Sequence, residues 1–236
     1  MERNNTCKRL IAVLTIMLCI LLSAEYAGAN NRDKLISDLN SKDPAVRMHA
    51  VEELEKVMDD KALDAFKKYI FVKTEDWKIK LRAIDAMGTV EDKEVSNFLI
   101  KIVGNPFLNE GCPAIQRHAI VALGKRFNNG SKALDAIAKK LRGDDLIVKE
   151  AAIQSLGEIG DPRAVPYLLP GLESKSFAIK LATLEALEKI GDIQVIPHLK
   201  RVAEHESDPY LKEKATSVVR NFSAWIIFTS KKGRKK

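Results

Sequence analysis

The stretch "LGEIGDPRAVPYLLPGL", residues 156–172, carries a helical apolar pattern that breaks at Gly160-Asp161-Pro162 and restarts at once. A second copy, "LEKIGDIQVIPHLKRV", begins at residue 187. Its Gly191, Asp192 and Pro197 lie 31 residues after Gly160, Asp161 and Pro166. Gly157 and Gly160 let the chain pass closely and turn, so "GDP" reads as a sharp turn between helices. A repeated helical hairpin cannot bury its apolar face alone. Stacking neighbours gives it a continuous core.

Working outward from this stretch, an apolar residue followed four positions later by a small one recurs along the chain. The series is Val46/Ala50, Ile79/Ala83, Ile115/Ala119, Val148/Ala152, Ile179/Thr183 and Leu211/Ala215. A third member stands eight residues after each opener: Leu54, Met87, Leu123, Leu156, Leu187 and Val219. Steps of four and eight share one helix face, so these are expected core positions of six second helices. Three residues before the openers stand Asp43, Asp76, Cys112, Asp145, Ser176 and Asp208. Five of them, Asp43, Asp76, Asp145, Ser176 and Asp208, are expected N-caps, able to accept a bond from a free first-turn N–H. Pro44, Pro113 and Pro209 follow at the first helical position, where proline is tolerated. The first helices recur as well, "KALDAF" (61–66) as "KALDAI" (132–137), with "RDKLISDLN" supplying a shorter one at the start.

The segments "DPAVRMHAVEEL", "DLIVKEAAIQSLGEIGDPRAVPYLL" and "SFAIKLATLEALEKIGDIQVIPHL" resemble HEAT repeats, of the HEAT-like kind named after phycobilisome lyases. The likeness spans nearly the whole chain after its first segment and is strongest over 131–205. It implies an all-α, right-handed α-solenoid of about six HEAT-like helical hairpins. It also implies an armadillo-like, non-enzymatic scaffold whose second helices line a concave partner-binding surface.

The first 29 residues stand apart. Arg3, Lys8 and Arg9 precede an uncharged run from Leu10 to Ala24, and Ala27 and Ala29 suit an A-x-A cleavage site. This is the pattern of a secretory signal peptide over 1–29, with an uncleaved N-terminal anchor as the alternative. The apolar run is shorter than the roughly 20 residues of a spanning helix. The expected organisation is therefore signal peptide 1–29, repeat array 30–222, and C-terminal cap and basic tail 223–236. The expected location is the periplasm or the extracytoplasmic face of the envelope. Removing 1–29 takes Cys7 and Cys19 away, leaving Cys112 alone and no intramolecular disulfide. It also reduces 39 basic residues to 36 and 32 acidic ones to 30. Five of the remaining cations, Lys231, Lys232, Arg234, Lys235 and Lys236, fall in the last six residues. The repeat body is thus near neutral, which gives no footing for nucleic-acid binding.

Catalytic constellations are missing from the sequence. His49 and His118 hold the same repeat position two hairpins apart, roughly 20 Å at about 8–10 Å per packed helix, too far to share an ion. HEAT-like iron hydroxylases use paired His-Glu motifs on helices, whereas His205–Glu206 is the one such pair here and falls in an expected turn. No G-x-S-x-G surrounds a serine, Cys112 has no histidine near it in sequence, and "GKRFNNGSK" (124–132) lacks the Walker spacing. No catalytic residue, metal or cofactor is expected.

Two rows remain as binding candidates. A basic residue follows most openers, at Arg47, Lys80, Lys149, Lys180 and Lys212, with Gln116 as the exception. These are expected to pair with the Asp N-caps of the same or adjacent turns. Opposite the core stripe stand Met48, Leu81, Arg117, Glu150, Leu181 and Glu213. The next row holds Glu52, Asp85, Val121, Gln154, Glu185 and Ser217. Read together they offer exposed apolar side chains beside acids, a groove for an amphipathic or basic peptide of another protein. A plain solvated face is the other reading. The C-terminal "SAWIIFTSKKGRKK" is expected to cap the last repeat, or else to touch anionic membrane through its basic end. An accessory subunit of a chromophore lyase is the alternative that the family resemblance adds.

Overall fold

The computed structural model describes residues 31–71, 77–105, 113–125 and 130–233, with side chains to Ala224. The expected signal peptide, and Asp76 and Cys112, lie outside the described residues. The described residues are all-α. About twelve helices form roughly six hairpins, an α-solenoid fold. They divide into two compact units, 1–83 and 84–236.

The first unit holds α1 (31–38), α2 (Pro44–Val57), α3 (Asp60–Phe71) and the start of α4 (Trp77–Met87). Asp43 begins α2 by accepting the Ala45 N–H at 2.8 Å, with Pro44 behind it. Ala50, Val51 and Leu54 are fully buried on α2, as are Phe66 and Ile70 on α3. The helices of this unit are also tied by ion pairs, Arg32 to Asp59 and Arg82 to Glu55 (2.6 Å).

The second unit continues with α5 (Lys93–Gly104), α6 (Ala114–Lys125), α7 (Gly130–Ala138) and α8 (Leu146–Ile159). Then come α9 (Val165–Leu168), α10 (Phe177–Ile190), α11 (Ile196–His205) and α12 (Pro209–Gly233). The second helices α6, α8, α10 and α12 pack side by side, with first helices laid against them. Asp145 accepts from Ile147 and Val148, Ser176 from Ile179, and Asp208 from Tyr210 and Leu211. The "GDP" turn is built as its composition demands. Gly160 closes α8 at φ +69° with its N–H on the Leu156 and Gly157 carbonyls, and Gly191 repeats the device at φ +72°.

Two expectations change. The first helix of the fifth hairpin is short, because Pro170, unlike the first-turn Pro166, removes a donor the helix would need to continue. Tighter 3₁₀ turns, Pro162–Ala164 and Leu169–Glu173, flank α9. The core register slips in α12, where Val218 is fully buried and Val219 is half-buried. The helix α12 itself runs unbroken to Gly233, since "NFSAWIIF" contains no glycine or proline to stop it.

Candidate functional site

Second helices approach closely because small residues meet at one register. A Cβ placed on Gly88 would lie 2.8 Å from the Cβ of Ala122. One on Gly124 would lie 2.6 Å from Ser155, and one on Gly157 would lie 2.8 Å from the Ala186 backbone. The glycine stands nine residues after each opener and its partner seven after the next. The repeat then departs from itself, with Glu188 in the glycine's place on α10 and Val218 opposite on α12. Glu188 accepts from Lys214 Nζ at 2.8 Å and Asn221 Nδ2 at 3.0 Å. A polar bridge thus takes the place of the close contact.

The outward face distributes the expected groove residues unevenly. In the first unit Glu52 is exposed and Met48 half-buried, but Leu81 is buried at 8% exposure. Leu81 is therefore a packing residue and no part of an open groove, because the helices bury more than a single stripe. In the second unit Arg117, Gln154, Glu185 and Glu213 are exposed, while Asp85, Val121, Glu150, Leu181 and Ser217 are half-buried. Leu181 and Met48 thus show only part of their side chains. His118 Nδ1 lies 2.7 Å from Asp85 Oδ1, across from α6 to α4. Gln154 donates to Glu150 at 3.3 Å, and Arg220 stands 3.9 Å from Glu213. Among the described residues no three His, Cys, Asp or Glu side chains converge as a metal site.

Two members of the basic row, Lys180 and Lys212, reach acceptors other than the Asp N-caps. Asp43, Asp145 and Asp208 spend their carboxylates on backbone N–H groups, and other acceptors take several of the long side chains. Arg47 donates to the Ser41 carbonyl, Gln116 to the Val103 carbonyl (2.7 Å) and Lys212 to the Glu204 carbonyl (3.3 Å). The Val103 and Glu204 carbonyls are orphan acceptors in the last turns of α5 and α11, at the negative end of the helix dipole, while Ser41 lies in the loop after α1. Lys80 is buried and partnered. Lys180 crosses to Glu206 of the next hairpin at 2.5 Å. That ammonium, helped by the Asp208 and Ser207 N–H groups, pushes the Glu206 carboxyl down to about 2.

Sequence reasoning missed an apolar edge. Leu146 and Ile147 on α8, Phe177 on α10 and Tyr210 on α12 are exposed by 54, 55, 46 and 59%. Phe177 and Tyr210 are in tilted ring contact, with centroids 6.0 Å apart. The signal lay one or two positions before each opener, off the core stripe, where an apolar residue has no packing role.

A family profile described as HEAT repeats matches residues 32–107, 69–156, 106–176 and 134–220, together most of the chain. The chain belongs to the HEAT-repeat family. Among solved structures, this HEAT-repeat chain is similar to the archaeal HEAT-like repeats protein from Thermococcus onnurineus NA1. The TM-score is 0.55 at 15% identity, over 86% of this chain and 90% of that one. It is similar to a designed armadillo repeat protein in complex with the peptide (KR)4, with a TM-score of 0.54 at 14% identity over 80% and 98%. A further engineered protein scores 0.53 at 14% identity over 82% and 98%. At such identities the likeness defines the HEAT/armadillo-like fold. No curated protein matches the sequence.

Proposed function

We propose that this HEAT-repeat chain is a non-enzymatic scaffold, exported to the periplasm or the envelope surface, that holds a basic or amphipathic segment of another protein. The observation that carries the reading is the row of carboxylates on the outward face of the second unit. Glu150, Glu185 and Glu213 occupy successive second helices, with Asp85 on α4 and the half-buried Leu181 and Val121 among them. Carboxylates presented at one-helix intervals match cations spaced along an extended or helical peptide. A repeat protein of this architecture holds the peptide (KR)4 in the designed armadillo complex. The proposal here rests on this chain's own acids.

The test uses a fluorescent (Lys-Arg)4 peptide and anisotropy. Wild type is expected to bind saturably at low salt, and Glu150→Lys/Glu185→Lys to bind at least tenfold more weakly with an unchanged melting curve. Glu94→Lys, on first helix α5, is expected to bind as wild type. Equal loss in both variants would leave only diffuse charge attraction and remove the face from the proposal.

Export is proposed on the basic, apolar and small-residue order of 1–29, and secreted material is expected to begin at Asn30 on N-terminal sequencing. Among the described residues no helix is long and apolar enough to cross a membrane. Contact of Lys231, Lys232, Arg234, Lys235 and Lys236 with anionic lipid is proposed as a supplementary anchor. Deleting 231–236 should then abolish sedimentation with anionic vesicles. A role beside a chromophore lyase is the less favoured alternative, since that chemistry serves cytoplasmic pigment proteins.

A further inference from the structure

One structural position repeats at three hairpin turns. The residue two before the N-cap accepts the N-cap's own N–H: Ser41 from Asp43 at 3.2 Å, Ser174 from Ser176 at 3.2 Å, and Glu206 from Asp208 at 3.1 Å. These bonds make Ser174 and Glu206 equivalent. Lys149 on α8 and Lys180 on α10 are equivalent too, each directly after its opener. Between the fifth and sixth hairpins the chain completes the arrangement itself. One oxygen of Glu206 takes the Lys180 ammonium, and the other takes the N–H groups of Ser207 (2.9 Å) and Asp208.

One junction earlier the lysine is present and the carboxylate is not. The Lys149 ammonium makes no hydrogen bond or ion pair among the described residues, and Ser174 stands where Glu206 stands in the next repeat. A cavity of about 230 Å³ opens there. Lys149 and Ser174 line it together with Leu141, Ile153, Ile179 and Tyr167, and among the described residues no acidic one lines it. The adjoining cavity shares Tyr167 and adds Lys139 and Arg142 against Asp135. We propose that the Lys149 cavity binds a carboxylate carried on a small apolar body, with Lys149 acting toward it as Lys180 acts toward Glu206.

The chemistry selects this ligand class. A half-buried ammonium forms its strongest contact with an anionic acceptor, and the surrounding apolar wall strengthens that contact. The Leu141, Ile153 and Ile179 walls reward an apolar body and penalise a strongly hydrated dianion such as phosphate. Apolar walls with a few convergent polar groups are the usual makeup of a small-ligand pocket. The carboxylate can come from a free short-chain acid or from the C-terminus of a polypeptide. None of the row's carboxylates lines the cavity, and the site does not depend on them.

Isothermal titration of the full chain separates the sources. The probes are 4-methylpentanoate and acetyl-Ala-Leu with a free C-terminus, each beside its amide. One acid is expected to bind at a single site, with its amide at least tenfold weaker. Tighter binding of the peptide acid assigns the site to polypeptide C-termini, and tighter binding of 4-methylpentanoate assigns it to free acids. Lys149→Gln is expected to lose at least tenfold, and Lys180→Gln to bind as wild type. Ser174→Glu is expected to abolish binding, because the chain then supplies its own carboxylate. Circular dichroism confirms that each variant is folded. Absence of binding by both acids, equal binding of acid and amide, or wild-type binding by Lys149→Gln would overturn the proposal.

Discussion

The α8–α10 and α10–α12 contacts occupy the same place in successive repeats and are built from different chemistry. Between α8 and α10 the backbones meet at Gly157 and Ala186, with space for no further atom. Between α10 and α12 the glycine's place holds Glu188, which reaches Lys214 and Asn221. The turn above shows the same division, with Lys149 beside Ser174 at one junction and Lys180 bonded to Glu206 at the next. At this register the interior junction closes by fit, and the final junction by a charged bridge. Interiors packed at this density leave core changes nowhere to relax, whereas half-exposed ion pairs are screened and worth little.

The largest way to break this contrast is Leu156→Ala. Leu156 is fully buried at the middle of α8, and its truncation is expected to cost about 2–5 kcal/mol in a denaturant melt. Val219→Ala, at the matching position of α12, is expected to cost well under half of that. A similar cost would restore the register that the structure displaces onto Val218.

Gly157→Ala is expected to cost about 1–3 kcal/mol, because the new methyl meets the Ala186 backbone and helices must part. Glu188→Ala, the equivalent change on α10, should cost under about 1 kcal/mol. Gly160→Ala sharpens the point three residues away. Nothing lies within 4 Å of a Cβ there, so its expected cost of about 1–2 kcal/mol is purely the left-handed backbone. A second-site Ala186→Gly should therefore recover part of the Gly157→Ala loss and none of the Gly160→Ala loss.

The smallest effect is pH-dependent. The Lys180 ammonium, with the Asp208 and Ser207 N–H groups, holds the Glu206 carboxyl at about 2, below its ordinary 4.5. A carboxyl lowered on folding contributes stability that is complete above about 4.5 and is lost as pH falls toward 2. Glu206→Gln should accordingly melt below wild type at pH 7, and the difference should vanish by about pH 2. A constant difference across that range would assign the loss to packing.

Much of the array was legible because periodicity and capping are local. The openers and their small partners at Ala50, Ala83, Ala119, Ala152, Thr183 and Ala215 all lie in or beside the core. Asp43, Asp145, Ser176 and Asp208 sit at helix starts because a short polar side chain can reach its own first turn. Gly160 and Gly191 declared the turn, since only a residue without a side chain adopts that backbone freely.

What tertiary structure alone decided depends on which surfaces meet. Leu81 is buried and Leu146 faces water, though both are apolar residues on second helices, because burial is a property of neighbours. Thr183 occupies a position otherwise held by alanine. It fits because Gly171 leaves room opposite and its hydroxyl turns back to the Ile179 carbonyl at 2.7 Å. Sequence by itself determined the helices, their turns and the repeat, all properties of residues within one turn of each other. The partners of the basic row, the bridge at Glu188 and the cavity beside Lys149 arise across junctions some 30 residues apart in the chain. They exist only once the hairpins are stacked.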